Sequence, residues 1–248
     1  MIARKPYKLE VFLSEEYLDI GAAEFIIDCA KNAIASKGKF TISLSGGRTP
    51  QKLFELLAQP QYENQIDWKN TYIFWGDERC VSLDDERNNA FQAKTILLDK
   101  VNIPEFNINR IPVDLPPVAA ASNYERKLND FFGDDPAQFD LILLGLGENG
   151  HTASLFPGTN VIEDTSAGIR NVYVEEEKMF RITMTAPLIN EAHVILFLVT
   201  GKEKAEILNK VLKESQESKK YPAQLISPEN GKLYWFADSE AASCCVLP

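Results

Sequence analysis

Residues 145–158 read GLGENGHTASLFPG, and His151, one of two histidines in the chain, stands directly behind the last glycine of the loop. An imidazole titrates near neutrality, so a histidine held by a glycine-rich turn after the apolar run FDLILL (139–144) is placed for general-base work. The same position also suits a histidine that only caps the loop by hydrogen bonding. The first six residues satisfy Gly-x-Gly-x-x-Gly, the pattern of a dinucleotide turn, which requires a long helix behind the third glycine. Pro157 cuts such a helix short, and the region of Arg170, about twenty residues on, lacks the ribose-binding acid. A short helix opened by Thr152 is expected instead, with its positive end keeping the His151 ring neutral. His193, which opens the apolar run HVILFLV, reads as a framework residue.

Three other stretches carry chemistry. LSGGRTPQKLF (44–54) sets two glycines and hydroxyl residues between a strand and a helix, and the N–H groups of Ser45, Gly46, Gly47 and Thr49 can converge there on an anion. It lacks the G-K-[ST] ending of a P-loop, and an unliganded tight turn fits the same residues. GKEKAEIL (201–208) is another strand-to-helix loop that can bring Lys204 to the same edge. WGDERCV (75–81) ends an apolar strand with Asp77, Glu78 and Arg79, residues for proton transfer or for a polar substrate unless they pair with one another. Arg181, in FRITMT (180–185), faces away from Phe180 and Ile182 and calls for an anionic partner.

These loops need strands and helices to aim them. KLEVFLS (8–14) alternates as a strand, and Leu18, Ala22, Phe25, Ile26, Cys29, Ala30, Ala33 and Ile34 mark a helical face that Gly38 ends. KFTISLS (39–45), TYIFW (71–75), FRITMT, HVILFLV (193–199) and KLYWFA (232–237) read as further strands. Helices are expected at LFELLA (53–58), near 88–99, over NYERKLNDFF and from about Lys202 to Glu214. IPVDLPPVAA (111–120) reads as a loop inside one domain spanning residues 1–248. Strands and helices alternating at this spacing imply an α/β fold: a doubly wound, largely parallel sheet with helices on both faces, Rossmann-like, binding its ligand beyond the carboxyl ends of the strands.

Composition narrows the function. With 26 basic and 36 acidic side chains the formal charge is -10, which argues against nucleic acid and means that any anion site is made of local cations and backbone N–H groups. No apolar run is long enough to span a membrane and the first residues lack a signal-peptide core, so a cytoplasmic location is expected. The four cysteines, Cys29, Cys80, Cys244 and Cys245, have no C-x-x-C spacing and read as inert thiols, with no metal site.

SGGRTP, GDERCV, GLGENGHTASLFPG, RITMT and GKEKA, in this order, resemble the 6-phosphogluconolactonase family, within the larger group that includes glucosamine-6-phosphate deaminase. The resemblance runs from about residue 8 to 240. HTASLFPG is its most specific part, because the deaminases carry a different sequence after the shared Gly-His. The resemblance implies a fold of the deaminase/lactonase type and hydrolysis of 6-phospho-D-glucono-1,5-lactone, the second step of the oxidative pentose phosphate route. The partner is then a small phosphorylated sugar lactone, with no metal or nucleotide cofactor.

By the same resemblance, Ser45, Gly46, Gly47, Thr49 and Lys204 bind the sugar phosphate, Arg181 matches the family arginine of its strand, and His151 is the general base. Arg79, or N–H groups of the 145–150 loop that includes Gly147, would stabilise an oxyanion. Two positions depart from the family pattern. Arg48 replaces a usual serine and either adds charge beside the phosphate or points to solvent. Asn149 replaces a usual aspartate; it can orient the His151 ring but cannot offset its charge, a task left to Glu148 or to no residue. The rival readings are an aminosugar-phosphate deaminase with Asp77 as proton shuttle, and a sugar-phosphate sensor without catalysis.

Overall fold

The computed structural model describes residues 6–133, 136–213 and 217–245. In chain order its elements are β1 (Tyr7–Phe12), α1 (Glu15–Lys37), β2 (Phe40–Leu44), α2 (Arg48–Leu57), α3 (Pro60–Glu63), β3 (Thr71–Trp75), β4 (Asp77–Arg79), α4 (Asn89–Ala93) and α5 (Pro117–Phe132). There follow β5 (Leu141–Gly145), β6 (Ile169–Val174), β7 (Met179–Met184), α6 (Ala186–Asn190), β8 (Val194–Val199), α7 (Ala205–Leu212) and β9 (Lys232–Asp238).

Six strands form one sheet in the order β1-β9-β8-β5-β2-β3, every neighbouring pair parallel. All five residues of β2 and the last five of β8 are buried, as expected of central strands covered on both faces. α1 packs on β9, β1 and β2, capped at its start by Ser14, whose side chain accepts from Tyr17 N, and closed by Gly38 in the left-handed conformation. A second sheet, β4-β7-β6, is antiparallel and lies under α5. One residue joins the sheets: Gly76 donates its N–H to Leu44 O at 3.2 Å and accepts from Met184 N at 2.8 Å. A continuous buried cluster runs from Leu18 and Ile42 through Leu143 and Phe197 to Ile182 and Met184. Among the described residues no helix is long and apolar enough to cross a membrane.

The α/β fold with its largely parallel sheet is the one expected, and several local expectations change. FRITMT is a strand, but of the antiparallel sheet, whose β6 the sequence did not announce. The first strand stops at Phe12 because Ser14 is taken as a helix cap. α2 starts at Arg48, five residues earlier than LFELLA, and α5 starts at Pro117, inside the segment read as loop. The helix near 88–99 is α4 followed by a wider π turn over Lys94–Leu98. α7 is preceded by a 3₁₀ turn at Lys202–Lys204 and ends at Leu212; Glu214 lies outside the described residues.

The helix expected at Thr152 does not form. Thr152 and Leu155 instead make a tight bridge with Ala153 at φ 47°. Tertiary bonds claim this segment: Thr152 Oγ1 donates to Gly145 O at 2.9 Å and Ser154 N donates to Thr183 Oγ1 at 3.2 Å. A helix dipole is therefore not what keeps His151 neutral.

Candidate active site

From β2 the sheet continues to β3 on one side, and from the adjacent β5 it continues to β8 and β9 on the other. Loops leaving such a switch point diverge and open a crevice beyond the strand ends. A cleft of about 480 Å³ lies there, floored by the loops after β2, β5 and β8 and walled by β4 and β7 of the second sheet. It brings together Ser45, Gly46, Gly47, Arg48, Thr49, Asp77, Arg79, Gly147, His151, Arg181 and Lys204. Asn149 is not among its walls; it lines a neighbouring cavity and meets the cleft only through His151.

The His151 ring is fixed from three sides. It stacks on Phe156 with centroids 4.0 Å apart and planes 21° apart. The Cα of Gly147 backs it so closely that a Cβ there would stand 2.1 Å from Nδ1, which no side chain can do. Asn149 Oδ1 lies 2.6 Å from Nδ1 and also accepts from His151 N at 3.1 Å. Because the backbone N–H must donate, the amide atom facing the ring is the oxygen, so Nδ1 carries the proton. Nε2 then keeps its lone pair, with no partner among the described residues. Burial, and after it the Arg181 guanidinium, hold the His151 pKa down at about 4; Asp77 and Glu177 pull upward and Lys204 adds to the lowering. The ring is neutral at physiological pH by burial and charge.

The second sheet supplies the charges. In its register Asp77 faces Thr183 and Arg79 faces Arg181, so strand alternation turns these four side chains to one face. Arg181 is buried and doubly paired: Nε donates to Glu177 Oε2 at 3.0 Å, Nη2 also donates to Glu177, and Nη1 lies 3.4 Å from Asp77 Oδ2. Ser154 Oγ donates to the same Asp77 oxygen at 2.6 Å, so Asp77 is held at both its neighbours. Arg79 differs, because no carboxylate among the described residues pairs with it. Its Nη1 donates to Arg87 O at 2.8 Å and Asn89 Oδ1 at 2.7 Å, while its buried Nε has no partner.

Asn89 and Glu78 set that arginine. Asn89 Nδ2 donates to Asp77 O at 3.0 Å, and the amide fills the place a Cβ on Gly46 would need, 1.8 Å from Oδ1. The Glu78 carboxyl accepts from Arg79 N, Asn89 N and Ala90 N, each at 2.8 Å, and burial pushes its pKa up to about 7. Asn89, Ser154, Glu177 and Thr200 were not singled out in the sequence. Ser154 lies inside the HTASLFPG motif, which was a usable signal; the others had none.

Gly47 caps α2 without a side-chain hydrogen bond, so first-turn N–H groups at residues that line the cleft have no capping partner. Thr49 Oγ1 lies 2.8 Å from Thr200 Oγ1, which donates to Glu15 Oε1 at 3.2 Å. Lys204 stands beside this turn with no carboxylate partner among the described residues, and Arg48 bridges to Glu203 at 3.3 Å. Among the described residues no three His, Cys, Asp or Glu side chains are grouped to hold a metal ion. Cys80, beside the acidic loop, has its thiol pushed up to about 11 by burial, which keeps it protonated and poorly reactive.

The cleft thus brings together a neutral imidazole, a guanidinium with no carboxylate partner among the described residues, and a glycine-rich strand-to-helix turn beside Lys204. Residues 14–235 match the family model described as glucosamine-6-phosphate isomerases/6-phosphogluconolactonase. The chain is 40% identical to a Synechocystis 6-phosphogluconolactonase over 94% of its own length and 96% of the relative's. It is 33% identical to the human 6-phosphogluconolactonase over 100% of its own length and 97% of that protein's. A solved 6-phosphogluconolactonase from Trypanosoma cruzi superposes with a TM-score of 0.89 at 26% identity, covering 100% of both chains. With the family model spanning most of the chain and these relatives covering nearly all of it, the chain belongs to the glucosamine-6-phosphate isomerase/6-phosphogluconolactonase family.

Proposed function

We propose that the chain hydrolyses 6-phospho-D-glucono-1,5-lactone to 6-phosphogluconate, as a carboxylic ester hydrolase of the oxidative pentose phosphate route, with His151 as its general base. The observation that carries the catalytic role is the His151 tautomer: Nδ1–H is committed to Asn149, and Nε2 presents a lone pair inside the cleft that holds the anion nest. Nε2 takes a proton from water as its oxygen attacks C1. Charge develops on the former carbonyl oxygen, where Arg79 supplies a positive charge that no carboxylate among the described residues pairs. As the intermediate collapses, the bond from C1 to the ring oxygen breaks and the imidazolium returns its proton to that oxygen. A base with a depressed pKa accepts the proton reluctantly and gives it back readily, so the low value assists the return of the proton to the leaving alkoxide more than its removal from water.

The N–H groups of Ser45, Gly46, Gly47 and Thr49, with Lys204 and Arg48, hold the phosphate. Binding far from C1 is thereby converted into orientation of C1 toward His151. Arg181, its charge shared between Asp77 and Glu177, serves phosphate binding less than Lys204 does, and keeps the base neutral. The binding partner is a small phosphorylated sugar lactone, and a cytoplasmic site of action agrees with a substrate of that kind.

The test is turnover of freshly generated lactone, corrected for spontaneous opening. Wild-type protein is expected to open the lactone and to release no ammonia from glucosamine 6-phosphate. His151→Ala is expected to lower kcat by about a hundred- to ten-thousand-fold while the fold and binding of 6-phosphogluconate persist. A folded His151→Ala protein with normal turnover removes the imidazole from the mechanism.

A further inference from the structure

An ion pair that the reaction itself does not require crosses the phosphate end of the cleft. Arg48, first residue of α2, reaches with Nη2 to Glu203 Oε1 in the turn before α7. Both side chains line the active cleft beside Lys204, and both also line a second cavity of about 400 Å³ bordered by Glu15, Asp238 and Glu240. The pair therefore lies between the active cleft and an acidic cavity. The Glu203 carboxylate folds back over Gly201, where a Cβ would stand 2.5 Å from Oε2. Folded in this way, it sets an anionic oxygen against the cation next to the α2 N-terminus.

Exposure makes the pair weak. The side chains are 70% and 46% exposed and share a single contact of 3.3 Å, conditions under which an ion pair contributes little. A phosphate dianion offers Arg48 more acceptor oxygens and more charge, in a shape that the guanidinium fork matches with two bonds. An uncharged lactone offers it nothing.

We propose that Glu203 is a specificity-determining residue: in the free protein its carboxylate stands in for the substrate's phosphate on Arg48, and a phosphorylated ligand displaces it. The inference rests on the reading of the 45–49 turn as the phosphate site. Phosphorylated sugars recover the broken pair through the new contact, whereas unphosphorylated ones do not, so the exchange selects for the phosphate while restraining affinity for it. Product release benefits from the same competition.

Calorimetric titration of inorganic phosphate into the full chain tests this with wild type, Glu203→Gln, Glu203→Asp, Arg48→Ser and the double variant Arg48→Ser/Glu203→Gln. Glu203→Gln is expected to tighten phosphate binding about two- to five-fold, the range an exposed pair can restrain. Glu203→Asp, which keeps the charge on a shorter arm, is expected to behave more like the Gln variant than like wild type. On the Arg48→Ser background the Glu203→Gln change should do nothing. Equal tightening on both backgrounds, or a wild-type-like Glu203→Asp, makes Glu203 a remote charge and overturns the exchange. No tightening in Glu203→Gln overturns it too. Thermal unfolding of each variant confirms that folded protein is compared. Lactone turnover by wild type, followed in parallel, separates the two failures: turnover with no tightening in Glu203→Gln overturns the exchange alone, whereas absence of turnover overturns the proposed function.

Discussion

The His151 imidazole is held neutral by burial and by Arg181, and a bound phosphate changes that balance. A dianion brought into the cleft favours the imidazolium and raises the pKa of the base. The acid limb of kcat/KM, which reports the free protein, is therefore expected near the depressed value of about 4, while the acid limb of kcat lies at higher pH. Full pH profiles of both constants, corrected for uncatalysed opening, check the separation; coincident limbs would mean that the phosphate is not felt at His151. Asn149 gives a second handle. Asn149→Asp keeps the shape and the acceptor oxygen but adds a negative charge beside Nδ1, so the acid limb of kcat/KM should move upward by about one to three pH units. At this scale the sequence was informative where chemistry is local: Gly147, Asn149 and His151 lie within one turn of each other. It was silent on the pairing of Ser154 with Asp77, 77 residues apart, a hydrogen bond that exists only in the fold.

At the scale of elements, the strand ends carry the site because apolar strands stop where glycine lets the chain turn sharply. That punctuation was readable for β2, β3, β5 and β8. The second sheet was not, since β4 has three residues, too few to show a period, and β6 buries its residues without strict alternation. Yet that sheet aims Arg79 and Arg181, and the α4 start holds Arg79 through Asn89. Gly46 is the contact between this unit and the β2 loop. Gly46→Ala drives a methyl into the Asn89 amide, and loosening the guanidinium is expected to lower kcat by about a hundred-fold with little loss of fold. Turnover measured beside a thermal melt tests it, and unchanged kcat would take Arg79 out of the transition state. The missing helix at Thr152 teaches a related point: tertiary hydrogen bonds donated to Gly145 O and Thr183 Oγ1 overrode a plausible local start.

Across the whole molecule, a formal charge of -10 surrounds a cleft lined by Arg48, Arg79, Arg181 and Lys204, the proposed phosphate site among them. The acidic excess has a thermodynamic cost at Asp19, buried on α1 with one oxygen unpartnered. Burial first, then Glu15 and Glu55, push its pKa up to about 7, against the pull of Lys52. The folded state thus binds this proton more tightly than the unfolded chain, whose value is 3.8. Its stabilising share is complete below about 3.8 and is lost as pH rises through about 7. Glu78 behaves with the same sign, whereas His151, whose pKa falls from 6.5 to about 4, contributes stability that disappears as pH drops through that interval. Asp19→Asn is accordingly expected to raise Tm at pH 8 by more than at pH 5, as melts at the two pH values would show. The joint between the sheets has a consequence of another kind. With Gly76 bonded to both through its N–H and its C=O, the strand ends that carry the cleft loops and the strands that carry Arg79 and Arg181 share a backbone joint. A change at Gly76 would therefore be felt on both walls of the cleft at once.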